Sequence, residues 1–329
     1  MASALWYEAP GVAAVRSTSL PEPEPGFARV RSLYSGISRG TERLVLGGRV
    51  PRDEWSRMRA PLQDGAFPFP VKYGYSAAGL VEAGPADLLG RTVFCLHPHQ
   101  DLFNAPAAML VPVPTDVPAR RATLAANMET ALNALWDSGA GPADRIVVIG
   151  GGVVGVLVGC LAAGLPGAEV SVCDTDPSRV EVIRHLGLAF TPPDGLPADA
   201  DVVFHASASE AGLAAAIGCA GVEASIVELS WYGDRSVSLP LGGGFHSRRL
   251  RIVSSQVGMV APSRRPRWPY RRRLAAALAL LRDDRFDVLV TGTIDFANAP
   301  RDLPSVLAEG TLGLAPVIRY PASEAVSGR

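Results

Sequence analysis

The chain has 329 residues, 48% of them hydrophobic and 19% charged, with 31 basic against 32 acidic side chains and a formal net charge of −1. That length accommodates a substantial core and two domains, and the near-neutral balance creates no global field for nucleic acid or a membrane surface, so neither is expected as a partner. Four scattered cysteines (Cys95, Cys160, Cys173, Cys219) make neither a disulfide framework nor a zinc knuckle, and no basic segment followed by an apolar run opens the chain, so a cytoplasmic location is expected.

Residues 1–121 read as β-rich, with proline and glycine punctuating short apolar runs at 29–34, 78–82, 91–96 and 109–113. The Pro/Glu run at 21–26 reads as a loop. Residues 122–136 are helical in composition. The segment 145–174 (RIVVIGGGVVGVLVGCLAAGLPGAEVSVCD) carries the strongest signal of the chain: a β-branched strand at 146–149, a glycine turn, a helix opened by Val153 and Val154, and a second strand ending in an acid. Gly150, Gly152 and Gly155 supply the GxGxxG spacing, and Asp174 follows the first glycine by 24 residues. Gly150 permits the tight turn, Gly152 lets backbone approach a pyrophosphate, and Gly155 lets the helix sit close on the sheet. The helix N-terminus offers N–H groups and a positive dipole end to phosphates. Asp174 accepts hydrogen bonds from ribose hydroxyls and repels a 2′-phosphate, which favours NAD(H) over NADP(H). The stretch 146–165 is uncharged, but six of its residues are glycine and its first half is a β-branched strand, which argues against a membrane span.

Further along, 177–186 reads as a helix with Ser178 and Arg179 near its start, and Arg179 joins Val153 and Val154 as a candidate cofactor contact. Buried strands are expected at 201–205 and 225–229, separated by an Ala-rich helix at 210–220, and a last strand at 251–255. This alternation predicts an α/β fold with a doubly wound, mostly parallel sheet. Ligands of such sheets bind beyond the strand ends, which nominates Ser207 and Ser230 for the cofactor pocket, with Trp231 and Tyr232 either shaping a substrate site or filling core. The run 263–273 (SRRPRWPYRRR) reads as a solvated face leading into a helix at 270–282. Short strands follow at 294–296 and 315–320.

The blocks ALWYEAPG, LPEPEPGFARVRSLYSGIS and YGYSAAGLVEAG, followed at the right distance by the nucleotide unit, resemble the medium-chain dehydrogenase/reductase superfamily over essentially the whole chain. The resemblance implies a GroES-like catalytic domain over 1–121, a Rossmann domain over 122–258 and a return segment over 259–329. It also implies a cofactor and small-molecule substrate cleft between the domains, and a homodimer. Zinc-dependent members carry a cysteine where this chain has Ser38 and a His-Glu pair where it has Tyr75-Ser76; the four-cysteine structural zinc lobe is absent too. No metal is therefore expected. The SGISRGTE block resembles a zinc-less branch that includes bacteriochlorophyllide dehydrogenases and enzymes of cyclitol and other specialised-metabolite pathways.

Alcohol oxidation without zinc requires side chains to polarise the oxygen and move its proton. Tyr75 sits where a zinc ligand would point, and Lys72, the only lysine beside thirty arginines, is a candidate to lower its phenol pKa. In an extended segment the two project to opposite faces, unless the turn at Gly74 reverses one. The alternative is that Tyr75 fills the former metal space. His97 and His99 offer groups titrating near neutrality. Glu42 and Glu129 orient a substrate hydroxyl or form structural ion pairs, and Thr41 relays a proton or makes a local turn bond. The expected activity is NAD(H)-dependent, zinc-independent interconversion of a secondary alcohol and a ketone on a cyclic or polyhydroxylated metabolite. The alternatives are an enoyl or quinone reductase and a non-catalytic NAD(H)-sensing protein.

Overall fold

A computed structural model describes residues 1–321 and divides the chain into two compact units, 1–126 with the segment from 278 onward, and 127–277. The expected boundaries at 121 and 258 therefore differ from the observed ones. The second lies later because buried Arg273 ties its helix to Glu129 (2.9 Å) and Asn133 (2.6 Å) of the 127–277 unit. Residues 322–329 of the predicted return segment lie outside the described residues.

The first unit is built from β1 (Ala2–Ala9), β2 (Val12–Thr18), β3 (Phe27–Gly36), α1 (Arg39–Leu46), β4 (Asp64–Gly65), β5 (Val71–Lys72), β6 (Ala77–Ala83), β7 (Thr92–Cys95), β8 (Leu102–Pro106), β9 (Val111–Pro112) and α2 (Ala119–Ala122). Its strands form a four-stranded sheet, β2-β1-β5-β4, and a larger sheet that runs β3-β6-β7-β9 with β8 also on β3. Alternation along β3 buries Ala28 and Val30 against Val81, Val93 and Phe103, and each buried Val or Phe side chain contributes about 1.5–3 kcal/mol.

In the second unit α3 (Ala125–Ser138) leads into β10 (Arg145–Ile149), α4 (Val153–Ala163), β11 (Glu169–Cys173), α5 (Arg179–His185), β12 (Ala189–Thr191), β13 (Ala200–His205), α6 (Glu210–Cys219), β14 (Ala220–Glu228), β15 (Arg251–Ser254) and α7 (Tyr270–Leu280). All strands of this sheet are parallel, in the order β12-β11-β10-β13-β14-β15, the doubly wound Rossmann order. Its central strands are continuously apolar because helices cover both faces; Ile146 to Val148 are fully buried. The 263–273 run is not wholly a solvated face. Arg273 is buried, Arg264 lies over Trp136 (5.5 Å) and Arg272 over Trp268 (4.0 Å). The chain then re-enters the first unit through β16 (Thr293–Asp295), α8 (Ala299–Val306) and β17 (Val317–Arg319), which extend the larger sheet from β3. Among the described residues no helix is long and apolar enough to cross a membrane.

Candidate active site

The end of β3 delivers Gly36-Ile37 to Ser38, the residue that precedes α1. Glu42, one turn into α1, reaches back so that its Oε1 accepts the Ser38 N–H at 2.7 Å. Its Oε2 accepts the Tyr7 hydroxyl at 2.5 Å and faces His99 Nε2 at 3.0 Å. Three donors thus meet a carboxylate with no exposed surface, which offsets its desolvation. Burial, then the Glu42 charge, hold the Tyr7 phenol well above its ordinary pKa, so it remains a donor. With Nε2–H of His99 turned to Glu42, Nδ1 accepts from the Ser35 hydroxyl (2.7 Å), whose oxygen accepts from Tyr320 (2.8 Å). Glu42 and His99 are therefore enclosed, and they fix the Ser38 turn from behind.

Gly74 brings Tyr75 to this turn. It takes φ +113°, and a Cβ there would lie 2.9 Å from the His99 ring. Tyr73 packs inward against Phe67 and Tyr7, while Tyr75 meets Tyr73 edge-on at 6.1 Å. Tyr75 keeps some exposed surface, as do Ser38 and Thr41. Burial of its hydroxyl pushes the phenol up to about 12, and hydrogen bonds with Ser38 and Thr41 act in the opposite direction. A cluster of three hydroxyls thus stands in front of the buried Glu42–His99 pair.

Lys72 is not beside Tyr75. Its Nζ lies 3.1 Å from Gln100 Oε1 and 3.7 Å from Asp64 Oδ2, because β5 is still extended there and turns only at Gly74. The expected Tyr–Lys pair is not formed. His97 does not titrate near neutrality: burial drives its imidazole down to about 3, its ring stacks on Phe103 at 3.7 Å, and Nδ1 bonds Pro98 O at 2.8 Å. Glu129 forms the buried pair with Arg273, and burial raises its carboxyl pKa.

Zinc requires thiolate, imidazole or carboxylate donors at close range. The three hydroxyls do not fit it, and Glu42 and His99 are turned to each other. Among the described residues no group of three or more His, Cys, Asp and Glu side chains is arranged to hold a metal ion.

In the second unit the glycine turn, Asp174, Ser207 and Ser230 follow β10, β11, β13 and β14 and so share one edge of the sheet. Gly150 takes φ +109°, and a Cβ there would come within 2.7 Å of the Ala206–Ser207 peptide. A Cβ on Gly155 would overlap the Gly150 carbonyl oxygen, whereas one on Gly152, at the start of α4, would meet nothing within 4 Å. A pyrophosphate fits this cradle. Asp174 accepts the Gly151 N–H (2.6 Å) and the Asp176 N–H (2.8 Å), which orients its carboxylate beside the turn with lone pairs remaining. Val153 and Val154 open α4; Arg179 pairs with Asp176 at 3.3 Å.

Sequence reasoning missed the scaffold of the strand-end loops. His205 Nδ1 donates to Glu228 (2.8 Å) and its Nε2 faces Ser207 Oγ (2.7 Å); Ser230 N–H donates to Glu228 (2.7 Å) and Ser230 Oγ accepts the Ala208 N–H (3.0 Å). Burial raises the Glu228 carboxyl pKa, but the His205 hydrogen bond and charge bring it below its ordinary value. The signal was a polar residue closing each apolar strand, His205 in DVVFH and Glu228 in SIVE. Tyr7, Ser35 and Tyr320 left no comparable mark.

No protein-family model matches the chain. Solved structures do. L-idonate 5-dehydrogenase from Escherichia coli K-12 aligns with a TM-score of 0.79 at 13% identity, covering 97% of this chain and 98% of its own. A protein described as a zinc-binding dehydrogenase from Sinorhizobium meliloti 1021, bound to NADP, aligns at 0.77 and 18% (97% and 99%). An alcohol dehydrogenase from Escherichia coli CFT073, complexed with NADH, aligns at 0.76 and 16% (97% and 99%). At these identities the likeness establishes the shared fold, a Rossmann-type sheet with a separate β-rich unit.

Proposed function

We propose that this protein is an oxidoreductase of the medium-chain type that interconverts a secondary alcohol and a ketone with NAD(H) and without zinc. The fold supports the general class, since structures sharing it include dehydrogenases bound to NADH and NADP. The observation that carries the acid–base part is the Tyr75–Ser38–Thr41 cluster. When bound, a nicotinamide supplies or accepts the hydride. The Tyr75 hydroxyl gives its proton to a carbonyl oxygen in reduction and takes it back in oxidation. With its phenol near 12, Tyr75 is protonated at neutral pH, which suits the reductive direction. Ser38 and Thr41 stabilise the phenolate left after transfer. Glu42 and His99 are positioning residues that hold the Ser38 turn.

Gly150, Gly152 and Gly155 cradle the pyrophosphate, Asp174 receives the adenosine ribose, and Ser207 and Ser230 line the same sheet edge. Asp174 favours NAD(H) because its charge opposes a 2′-phosphate. The test is a fluorescence titration with NADH and NADPH. Wild type binds NADH more tightly; Asp174→Ala weakens NADH roughly tenfold or more, the loss of at least one hydrogen bond to a charged group, and narrows the gap to NADPH. NADPH preference in the wild type shifts the assignment to an enoyl or quinone reductase, and binding of neither removes the enzyme assignment.

A further inference from the structure

The proposed chemistry leaves the run at 263–273 without a role. From Arg235 to Ala277 the second unit carries ten arginines and no Asp or Glu, so a chain of near-zero net charge concentrates positive charge in one segment. Two of the ten are neutralised, Arg249 by Glu223 (3.0 Å) and Arg273 by Glu129 (2.9 Å). Arg264, Arg265, Arg267 and Arg272 are exposed, and among the described residues none of the four is paired with a carboxylate. The field of Asp137 reaches Arg265, but it also acts on Arg273, and its carboxylate accepts from Ser255 and Asn133. It therefore offsets at most one of the four charges.

Two of these arginines are held in place. Arg264 lies over Trp136 (5.5 Å) and Arg272 over Trp268 (4.0 Å), and the two indoles meet at 4.8 Å. Arg272 also donates to Arg267 O at 2.7 Å. A stacked guanidinium keeps its planar fork oriented before a ligand arrives, so less entropy is lost when it grips an anion through two bonds. Carboxylate and phosphate both match such a fork, and the surrounding surface separates their sources. Each indole already carries a guanidinium and lies against the other, which removes the free aromatic platform used by single-stranded nucleic acid. Apolar surface flanks the arginines instead. Tyr270 is 59% exposed, with its hydroxyl on Gly258 O (2.9 Å), and the neighbouring Met259 is 63% exposed. Arg, Trp, Tyr and Met without Lys is the composition of protein-binding hot spots. We infer that the start of α7 and the turn before it bind an acidic segment of a protein partner, one that combines carboxylates with an aromatic or aliphatic side chain. The inference stands independently of the dehydrogenase assignment.

The experiment is fluorescence anisotropy on the full chain at low ionic strength. The labelled probes are hexaglutamate, the hexapeptide Glu-Tyr-Glu-Glu-Leu-Glu and an oligothymidylate with the charge of hexaglutamate; cosedimentation with phosphatidylserine vesicles is measured beside them. The mixed peptide binds about fivefold tighter than hexaglutamate although it carries fewer charges, the scale of partly burying its apolar side chains less the lost exposed ion pairs. Oligothymidylate and vesicles bind more weakly than the mixed peptide. Arg264→Gln/Arg272→Gln weakens the mixed peptide about tenfold, whereas Arg16→Gln/Arg301→Gln, the same charge change at exposed residues of the first unit, leaves it unchanged. If the first pair fails to fold, Arg267→Gln, an exposed position, decides through a loss of about threefold. Met259→Ser/Tyr270→Ser abolishes the preference for the mixed peptide. Four results overturn the inference: no binding of either peptide, equal binding of the two, oligothymidylate or vesicles binding as tightly as the mixed peptide, or equal losses in the patch and control variants.

Discussion

Replacing Glu42 by Gln tests whether the buried carboxylate holds the Ser38 turn. Its oxygens accept from Tyr7 (2.5 Å), Ser38 N–H (2.7 Å) and His99 Nε2 (3.0 Å). An amide has one acceptor oxygen. If that oxygen faces Tyr7 and His99, the NH₂ group meets the Ser38 N–H; in the other orientation it meets Tyr7 and His99. The first orientation sets a buried donor against a donor, and the second forces the Tyr7 hydroxyl and the His99 tautomer to reverse their roles; either costs about 1–3 kcal/mol, and the remaining bonds lose their charge assistance. Glu42→Gln therefore lowers the stability of the first unit by about 2–4 kcal/mol in urea denaturation. Tyr7→Phe removes a bond to a charged group and costs about 1.5–3 kcal/mol. The double variant falls short of the sum by about 1 kcal/mol or more, because the Tyr7–Glu42 bond is lost only once. Strict additivity, or a Glu42→Gln effect below about 0.5 kcal/mol, would refute the reasoning.

Gly155→Ala forces a Cβ into the Gly150 carbonyl oxygen, backbone against backbone; the strain of about 1–3 kcal/mol appears as a roughly fivefold or greater loss of NADH affinity by fluorescence titration, whereas Gly152→Ala, facing open space, changes stability little. His97 lies at about 3 in the fold against an ordinary 6.5. The unfolded chain therefore binds more protons between those values, and stability declines as pH falls from 6.5 toward 3, by up to about 1.4 kcal/mol per pH unit. His97→Phe, which keeps the aromatic stack, flattens that part of the stability–pH profile measured by denaturation; an unchanged slope means that the histidine is not held neutral.

Much of the second unit was legible because its determinants are local. The run 146–149 is β-branched, the glycines have fixed spacing, and Asp174 ends the next strand; β10, α4 and β11 follow those limits within a few residues. The helix expected at 122–136 is α3, which begins at Ala125 and runs to Ser138, with the short α2 ending just before it at Ala122. The first unit was less legible. β1 and β2 are held by pairing with each other and with β5, and α1 is set by the Glu42 carboxylate bonding back to Ser38, neither of which leaves a periodic mark. The histidines show the limit most directly. His97 and His99 are two positions apart in sequence, yet one is stacked on Phe103 and the other is sealed against Glu42. Residue type nominated both for the same catalytic role, but tertiary packing gave them separate structural partners. Lys72 and Tyr75, three positions apart, likewise part company: Lys72 stays in extended β5 beside Gln100, and the turn at Gly74 does not bring Tyr75 to it.

The most direct test of the acid–base assignment is the rate of NADH oxidation by chelator-treated, metal-analysed protein across a panel of cyclic ketones and their polyhydroxylated analogues, for wild type and Tyr75→Phe in parallel. The account predicts turnover by metal-free wild type, a loss of roughly two orders of magnitude in Tyr75→Phe, and an unchanged NADH dissociation constant. A near-normal rate in Tyr75→Phe, or turnover that appears only when zinc is restored, would contradict it.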